Sequence, residues 1–321
     1  MEHSHEKLKA CMEYDAQGEA VLDLRRKRLS RLPDAVTELS ELGVLLLNEN
    51  NLTELPTSIC KLKNLKMLNL DHNHLTQLPD EIGDLKKLVE LIVSNNQLSG
   101  LPMSIQNLNK LELLYLHKNR LNKLPDEIGD LEELRLLSVY MNQLIGLPTS
   151  ILKLNRLERL YIDDNKLTAL PIEIGHLKEL RELSVSNNQL VGLPTHIQKL
   201  NKLKGLNLNH NRLTSLIPEI GDLKELRTLS VKYNQLSCLP SSILRLKKLE
   251  ELNVAGNRLT ELGSAAELND LAYNLNRLKV SGNPLTVDAI RIILESMNRQ
   301  KKYTDIMGEC RLIFTKLLLN F

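Results

Sequence analysis

Residues 65–87 read LKMLNLDHNHLTQLPDEIGDLKK, and the same arrangement of leucine, asparagine and proline recurs along most of the chain. Its asparagine, Asn73, belongs to a series with a constant spacing of 23 residues. The series comprises Asn50, Asn73, Asn96, Asn119, Asn142, Asn165, Asn188, Asn211, Asn234 and Asn257, and Asn283 follows after a longer interval. A repeat of this length cannot bury its own apolar side, so equivalent turns must stack to form the core.

Each repeat contains one strand and one return segment. The segment LKMLNL alternates inward and outward residues, which is the period of a half-buried strand. Because there is one strand per repeat, successive strands run parallel. Pro79 ends the extended segment, and Ile82 with Leu85 predicts a short helical turn on the outer side. Asn73 lies where the chain leaves the strand, so stacked copies of its amide predict a buried ladder of hydrogen bonds to the backbone.

The pattern LxxLxLxxNxLxxLPxxIxxLxx resembles a leucine-rich repeat of the 23-residue intracellular type, similar to those of Ras-group scaffolds and of bacterial surface and effector proteins. The resemblance implies an α/β fold, a horseshoe-shaped solenoid with a concave parallel β-sheet, short turns or helices on the convex side and helical caps at both ends. It covers residues 19–290, about 12 repeats. For activity it implies only that such proteins usually bind other proteins.

Both ends of the chain depart from the repeat. Residues 1–18 are predicted to form an N-terminal capping helix, because apolar residues on one helical face precede a glycine stop at Gly18. Ser264 and Glu267 form a capping-box pattern that predicts a helix over about 265–273.

The last part of the chain is assigned to a C-terminal helical cap over residues 291–321. An apolar stripe from Val287 to Met297 predicts one amphipathic helix, and a further helix is expected around 305–319. Docking of a partner on this tail is the alternative interpretation.

Alternate repeats resemble each other more than adjacent ones do. One type carries the segment EIG on its outer side and the other carries NQL, so the duplicated module is 46 residues long. Charges alternate along the outer side, which places Asp130 next to Lys153. Each exposed pair of this kind is worth less than about 1 kcal/mol.

Composition and charge argue against several partners. The chain has 42 Lys and Arg against 40 Asp and Glu, a balance that removes the usual electrostatic reason to expect nucleic acid. No segment reaches the roughly 18 apolar residues of a membrane span, and the N-terminus has no apolar stretch of signal-peptide length. The four cysteines are scattered, as expected in a reducing compartment. We therefore expect a cytoplasmic monomer, or a protein exported into a host cytosol without a cleavable signal.

Motifs for catalysis and metal binding are missing from the sequence. It contains no Walker loop, GxSxG elbow, HExxH helix or CxxC pair. His72 and His117 lie two repeats apart, roughly 10 Å at about 4.8 Å per strand, which is too far to share a metal ion. The sequence thus predicts a protein without catalytic residues, cofactor or metal, and not an enzyme.

Tyrosine is concentrated at the centre of the predicted concave surface. Tyr115, Tyr140 and Tyr161 fall on three consecutive strands, whereas the inward leucine positions hold no tyrosine. The predicted partner-binding site comprises Leu113, Tyr115, His117, Leu136, Tyr140, Met141, Arg159, Tyr161 and Asp163. A weaker secondary patch comprises His210, Arg227, Lys232 and Tyr233. The alternative is plain cross-strand packing of aromatic side chains, worth about 0.2–1 kcal/mol per pair.

These features favour a non-enzymatic interaction module that binds a protein on its concave face, and a secreted bacterial effector is one form of it. A preformed sheet loses little conformational entropy on binding, so few anchor residues suffice. The alternative is a recognition or scaffold subunit of a ubiquitin-ligase, phosphatase or small-GTPase signalling complex that docks through its C-terminal tail.

Overall fold

The computed structural model describes residues 10–299, which form two compact halves divided between Asn165 and Lys166. The N-terminal half contains β1 (Glu13–Tyr14), β2 (Ala20–Asp23), β3 (Leu42–Leu46), β4 (Met67–Asn69), β5 (Glu90–Ile92), β6 (Leu113–Tyr115), β7 (Leu136–Ser138) and β8 (Arg159–Tyr161). The C-terminal half contains β9 (Glu182–Ser184), β10 (Gly205–Asn207), β11 (Thr228–Ser230), β12 (Glu251–Asn253) and β13 (Arg277–Lys279).

Strands β2–β8 and β9–β13 pair in parallel with their neighbours, each displaced by one repeat along the chain. The central inward position of the N-terminal half runs through Leu68, Leu91, Leu114, Leu137 and Leu160. In the C-terminal half it runs through Leu183, Leu206, Leu229, Leu252 and Leu278. None of these side chains is more than 1% exposed, so this column is the middle of the core in each half.

The return segments are short helices on the side of the core opposite the sheet. The first is a four-residue α-helix, α1 (Asp34–Thr37), and those between β3 and β12 are 3-10 helices. These are Thr57–Lys61, Asp80–Asp84, Met103–Asn107, Asp126–Asp130, Thr149–Lys153, Ile174–His176, Thr195–Lys199, Pro218–Asp222 and Ser241–Arg245.

Proline explains where the return segments begin. Pro79 has a φ of −69° and stands in extended conformation just before its 3-10 helix, in which Ile82 is buried. A proline ring holds φ near this value and removes an N–H, so it suits the first position after an extended run. Parallel strands and short outer helices confirm the predicted α/β repeat solenoid.

The asparagines form the predicted buried ladder. Asn142 donates from Nδ2 to the carbonyl oxygens of Leu116 and Val139, both at 3.0 Å. Its Oδ1 accepts the N–H of Leu121 at 2.9 Å. Leu116 and Leu121 belong to the preceding turn, and buried backbone groups of this kind require partners. Each asparagine of the ladder therefore ties its own turn to the one before it.

The predicted capping helix over residues 1–18 is wrong for its described C-terminal part. Strand β1 pairs antiparallel with β2, so a short hairpin covers this edge of the sheet. The cause is a tight turn, in which the Asp15 carboxylate accepts the N–H groups of Gln17 and Glu19 at 2.9 Å. Gly18 closes the turn with a φ of 78°, which lies outside the helical region. The first nine residues of the predicted helix lie outside the described residues.

The predicted helix near 265–273 is confirmed as α2 (Ala265–Asn274). The Ser264 hydroxyl accepts the N–H of Glu267 at 3.3 Å, and the Glu267 carboxylate accepts the N–H of Ser264 at 2.8 Å. This reciprocal pair is the capping box expected from the sequence.

The last described element is α3 (Val287–Arg299), which begins four residues before the predicted boundary at 291. Ile290 and Ile293 of the apolar stripe are buried, whereas Val287 is exposed. The further helix predicted around 305–319 lies outside the described residues.

Glycine packing gives a physical reason for the 46-residue period. A Cβ on the glycine of each EIG segment would come within 2.1–2.4 Å of a backbone oxygen in the next turn. The glycines are Gly83, Gly129, Gly175 and Gly221, and they face Ser104, Ser150, His196 and Ser242 respectively. An EIG turn and its successor therefore pack as a pair, which is the duplicated unit.

The outer side carries the predicted alternation of charge. Lys153 pairs with Asp130 at 3.0 Å, and Arg245 pairs with Asp222 at 3.1 Å. These side chains remain largely exposed, so each pair contributes less than about 1 kcal/mol. In the described part of the chain, every helix is too short or too polar to cross a membrane.

Candidate functional site

The outward positions of β3–β8 form a continuous surface, which we call the N-terminal sheet face. Register places them in two rows, with neighbouring strands about 4.8 Å apart. The first row is Val44, Met67, Glu90, Leu113, Leu136 and Arg159. The second row is Leu46, Asn69, Ile92, Tyr115, Ser138 and Tyr161. Aliphatic and aromatic side chains therefore dominate this face.

The equivalent positions of the C-terminal half have a different character. They are Glu182, Gly205, Thr228, Glu251 and Arg277 in the first row and Ser184, Asn207, Ser230, Asn253 and Lys279 in the second. All ten are polar, charged or glycine, on strands of the same geometry. The apolar composition of the N-terminal sheet face is thus not a requirement of the fold, because the same repeat is built without it.

Aromatic rings cluster toward the β8 end of the N-terminal sheet face. Tyr115 and Tyr161 belong to its second row, and His117 and Tyr140 lie just past the ends of β6 and β7. The rings of His117 and Tyr140 stack with centroids 4.2 Å apart and planes 7° from parallel. In the second row, Tyr115 and Tyr161 flank Ser138, which is only 2% exposed. The three tyrosines are half-buried, so each ring is supported by the sheet and still presents part of its surface to solvent.

Hydrogen bonds hold the imidazole of His117 in place. Its Nδ1 lies 2.9 Å from the hydroxyl of Ser94 and 3.4 Å from that of Ser138. Burial lowers the pKa of His117, and this effect exceeds the opposing attraction of Asp71. Burial therefore favours the neutral form of this ring.

Burial also disfavours the charged form of the neighbouring phenols. It raises the pKa of Tyr115, with a further contribution from the charge of Glu90. It likewise raises the pKa of Tyr140, to which Asp71 and Asp163 contribute. The aromatic centre consequently offers uncharged rings with polar edges, a combination that suits protein interfaces.

Backbone conformation places a further line of exposed side chains next to the aromatic rings, one residue beyond His117 and Tyr140 along the chain. Lys118, Met141 and Asp164 each precede a ladder asparagine and adopt left-handed φ values of 54°, 53° and 53°. Their side chains are exposed, and Met141 extends the apolar surface beyond Tyr140. Arg159 is also exposed, at the end of the first row. Asp163 is half-buried past the end of β8, where the register places it next to Tyr140.

Leu136 requires a correction. It is only 3% exposed, because it lies in register between Leu113 and Arg159 on the two flanking strands. Leu136 therefore supports the surface from below and offers almost no area to a partner.

Five residues of the face were missed by reasoning from tyrosines alone. They are Val44, Leu46, Met67, Glu90 and Ile92, all at least half-buried and adjacent in register to the predicted centre. They could have been found from the sequence, because they occupy the same strand positions as Leu113 and Tyr115 in the repeats toward the N-terminus.

The secondary patch is formed by three of its four predicted residues. The rings of His210 and Tyr233 have centroids 4.6 Å apart, and Lys232 Nζ lies 4.4 Å from the Tyr233 centroid. Gly256 makes room for Tyr233, since a Cβ there would come within 2.2 Å of the ring.

Arg227 does not belong to the secondary patch. It precedes β11 and pairs with Glu250 at 2.8 Å, whereas Lys232 and Tyr233 follow the end of that strand. At about 3.3 Å per residue, the length of the strand separates them.

The site is suited to non-covalent contact. The Ser94 hydroxyl beside His117 is fully buried, so a substrate could not reach it. Nowhere in residues 10–299 do three or more His, Cys, Asp or Glu side chains converge in a group that could hold a metal ion.

Comparison with known families agrees with the repeat pattern. A profile described as a leucine-rich repeat region matches residues 105–195 and 188–281. A second, described as a leucine rich repeat, matches residues 20–75 and 40–98. The search of curated proteins finds no match.

Solved structures give the same result. A leucine-rich repeat protein of Leptospira interrogans is 30% identical over 88% of this chain and 95% of that chain, with a TM-score of 0.57. The plant peptide hormone receptor RGFR1 is 31% identical over 82% of this chain and 44% of that chain, with a TM-score of 0.71. An internalin of Listeria monocytogenes, 23% identical over 92% of this chain and 80% of that chain, shares the fold with a TM-score of 0.78.

Leucine-rich repeats generally mediate protein–protein interaction and are generally not enzymes. The asparagine ladder, the parallel strands and the matches over most of the sequence lead to one conclusion: this chain belongs to the leucine-rich repeat family.

Proposed function

We propose that this protein binds a protein partner through the N-terminal sheet face, with Tyr115, Tyr140 and Tyr161 as anchors. The observation that carries the proposal is the contrast between the halves. The same strand positions hold aliphatic and aromatic residues in one and Ser, Asn, Thr and charged residues in the other. Apolar side chains that present part of their surface to solvent in a contiguous group are typical of interaction sites.

The structure of the face supports tight binding with few anchors. Its strands are fixed by ladder hydrogen bonds such as those of Asn142, and its rings are already ordered by stacking. Little conformational entropy is therefore lost when a partner docks. Half-buried tyrosines combine a large apolar area with a polar edge, and truncating such anchors commonly costs about 2 kcal/mol or more.

A relative supports a peptide or protein as the ligand. The plant receptor RGFR1 was solved in complex with RGF2, and its repeats are 31% identical to this chain. The Leptospira protein matches along nearly its whole length, which supports a bacterial interaction protein. A secreted effector acting in a host cytosol, as a monomer, is the finer form of the proposal. Docking through the tail, residues 291–321, stays a prediction, since most of that segment lies outside the described residues.

The triple variant Tyr115→Ala, Tyr140→Ala, Tyr161→Ala tests the proposed face. Partners captured by the wild type are expected to be lost, because the variant removes the anchors and leaves the ladder intact. The matched control is Tyr14→Ala with Tyr273→Ala, which truncates two exposed tyrosines on other elements. Circular dichroism must show that both variants remain folded. Capture of the same partners by the triple variant would refute binding at this face.

A further inference from the structure

Glu90 is the one acidic residue in the two rows of the N-terminal sheet face. It lies in the first row between Met67 on β4 and Leu113 on β6, and Ile92 follows on its own strand. Its carboxylate is half-buried and forms no ion pair with any residue in the range 10–299. Burial raises the pKa of this carboxyl above its usual value, which reflects the apolar surroundings.

Two other acidic residues at sheet positions, Asp23 and Glu251, receive a cation from the chain itself. Asp23 pairs with Arg25 at 2.6 Å, in the N-terminal half. Glu251 occupies the same first-row position in the C-terminal half, and Lys279 approaches it to 3.3 Å. The repeat can thus provide a basic neighbour, but around Glu90 it provides apolar side chains.

A partner that covers the N-terminal sheet face would remove water from Glu90. A carboxylate buried without a counter-charge is unfavourable, so the partner must bring a hydrogen-bond donor or a cation. A basic side chain fits the surroundings best. Its aliphatic stem would lie on Met67 and Leu113, and its charged head would reach Glu90. The ring of Tyr115, diagonal to Glu90 across β5 and β6, adds a favourable cation–π contact.

We infer that the partner of this face is a protein segment in which a lysine or arginine, flanked by apolar residues, docks on Glu90. The inference rests on the proposed function, and it adds the chemistry that the partner must present. Apolar anchors would contact the tyrosine centre, and the basic residue would fix the register of the segment along the rows.

A phage-displayed library of random dodecapeptides, selected on the full-length chain, supplies the probe. Selected peptides are synthesised, and their Kd values are measured by fluorescence anisotropy against the wild type, Glu90→Gln, Tyr115→Ala and Glu251→Gln. Glu251→Gln is the matched control, because it removes the same charge from the same strand position of the other half. Urea denaturation verifies that every variant is folded.

The expected peptides carry Lys or Arg next to apolar residues. Glu90→Gln should weaken their binding roughly 10- to 100-fold, and Glu251→Gln should leave it unchanged. Replacing the basic peptide residue by Met should weaken binding to the wild type but cause no further loss with Glu90→Gln.

Two other results would overturn the inference in distinguishable ways. Peptides that lose affinity for Tyr115→Ala but bind Glu90→Gln as tightly as the wild type would leave the proposed function standing without the basic contact. Selection of no peptide, or of peptides insensitive to both substitutions, would remove the proposed function as well.

Discussion

Asn142 shows at the residue scale how the sequence pattern becomes stability. Its side chain satisfies three backbone groups at once, two of them in the preceding turn. Asn142→Ala is therefore expected to lower the free energy of unfolding by about 1–3 kcal/mol, the cost of leaving buried groups without partners. Urea denaturation followed by circular dichroism measures the change.

The control for the ladder is Asn155→Ala, at an exposed asparagine outside the series. Its free energy of unfolding should change by less than about 0.5 kcal/mol. Similar decreases in the free energy of unfolding of both variants would mean that the ladder hydrogen bonds of Asn142 do not stabilise the protein.

His117 gives the stability of the protein a defined pH dependence. Burial lowers its pKa in the folded state, with Asp71 acting in the opposite direction and Lys118 and His72 in the same direction. Below about pH 6.5, the ordinary histidine pKa, the unfolded chain thus binds the proton more readily than the folded chain. The free energy of unfolding should fall as the pH drops from about 7 through the lowered pKa.

His117→Gln is expected to show a smaller fall over the same range. Urea denaturation at about pH 7, 6 and 5 measures the slopes, with the exposed His74→Gln as the control. An equal flattening of the slope in the His74 variant would assign the effect to general charge instead of the half-buried imidazole of His117.

At the element scale, the close packing of consecutive return helices explains the 46-residue period. Gly129 lies in the 3-10 helix Asp126–Asp130, and a Cβ there would stand 2.2 Å from the carbonyl oxygen of Ser150. Gly129→Ala should force the two helices apart and destabilise the protein by about 1–3 kcal/mol.

Gly146→Ala is the matched control for this packing, since a Cβ at Gly146 meets nothing within 4 Å. Thermal unfolding of both variants gives the comparison. A Gly129 variant as stable as the Gly146 variant would show that the turns can separate without cost.

Helices and turns could be predicted from the sequence wherever a local sequence signal determines where they begin. The capping box at Ser264 and the proline at Pro79 are such signals, and the corresponding helices form as expected. The N-terminal hairpin was missed because apolar spacing alone suggested a helix, whereas the Asp15 turn and Gly18 decide the conformation. The role of Gly129 was also invisible, since it depends on a contact with the following repeat.

Across the whole molecule, the period of two residues predicts which side chains face outward, and the tyrosine positions follow from it. This period does not predict how much of each outward side chain is covered by the side chains of adjacent strands. Leu136 is covered by its flanking strands, and the stacking of His117 on Tyr140 depends on ring orientation. The apolar extension through Met67 and Ile92 lay within reach of the same reasoning once the rows were read as a surface.

The asparagine ladder also has a direction, because each rung reaches toward the N-terminus. Asn50 serves the turn before it, accepting the N–H groups of Lys27 and Leu29, so that first turn needs no asparagine of its own. At the other end, Asn283 still closes the preceding turn through Leu259. Lengthening such a protein by gene duplication is consequently asymmetric. A repeat added after the last one brings the asparagine that bonds it to the preceding turn. A repeat added before the first one is bonded by an asparagine of the repeat that already follows it.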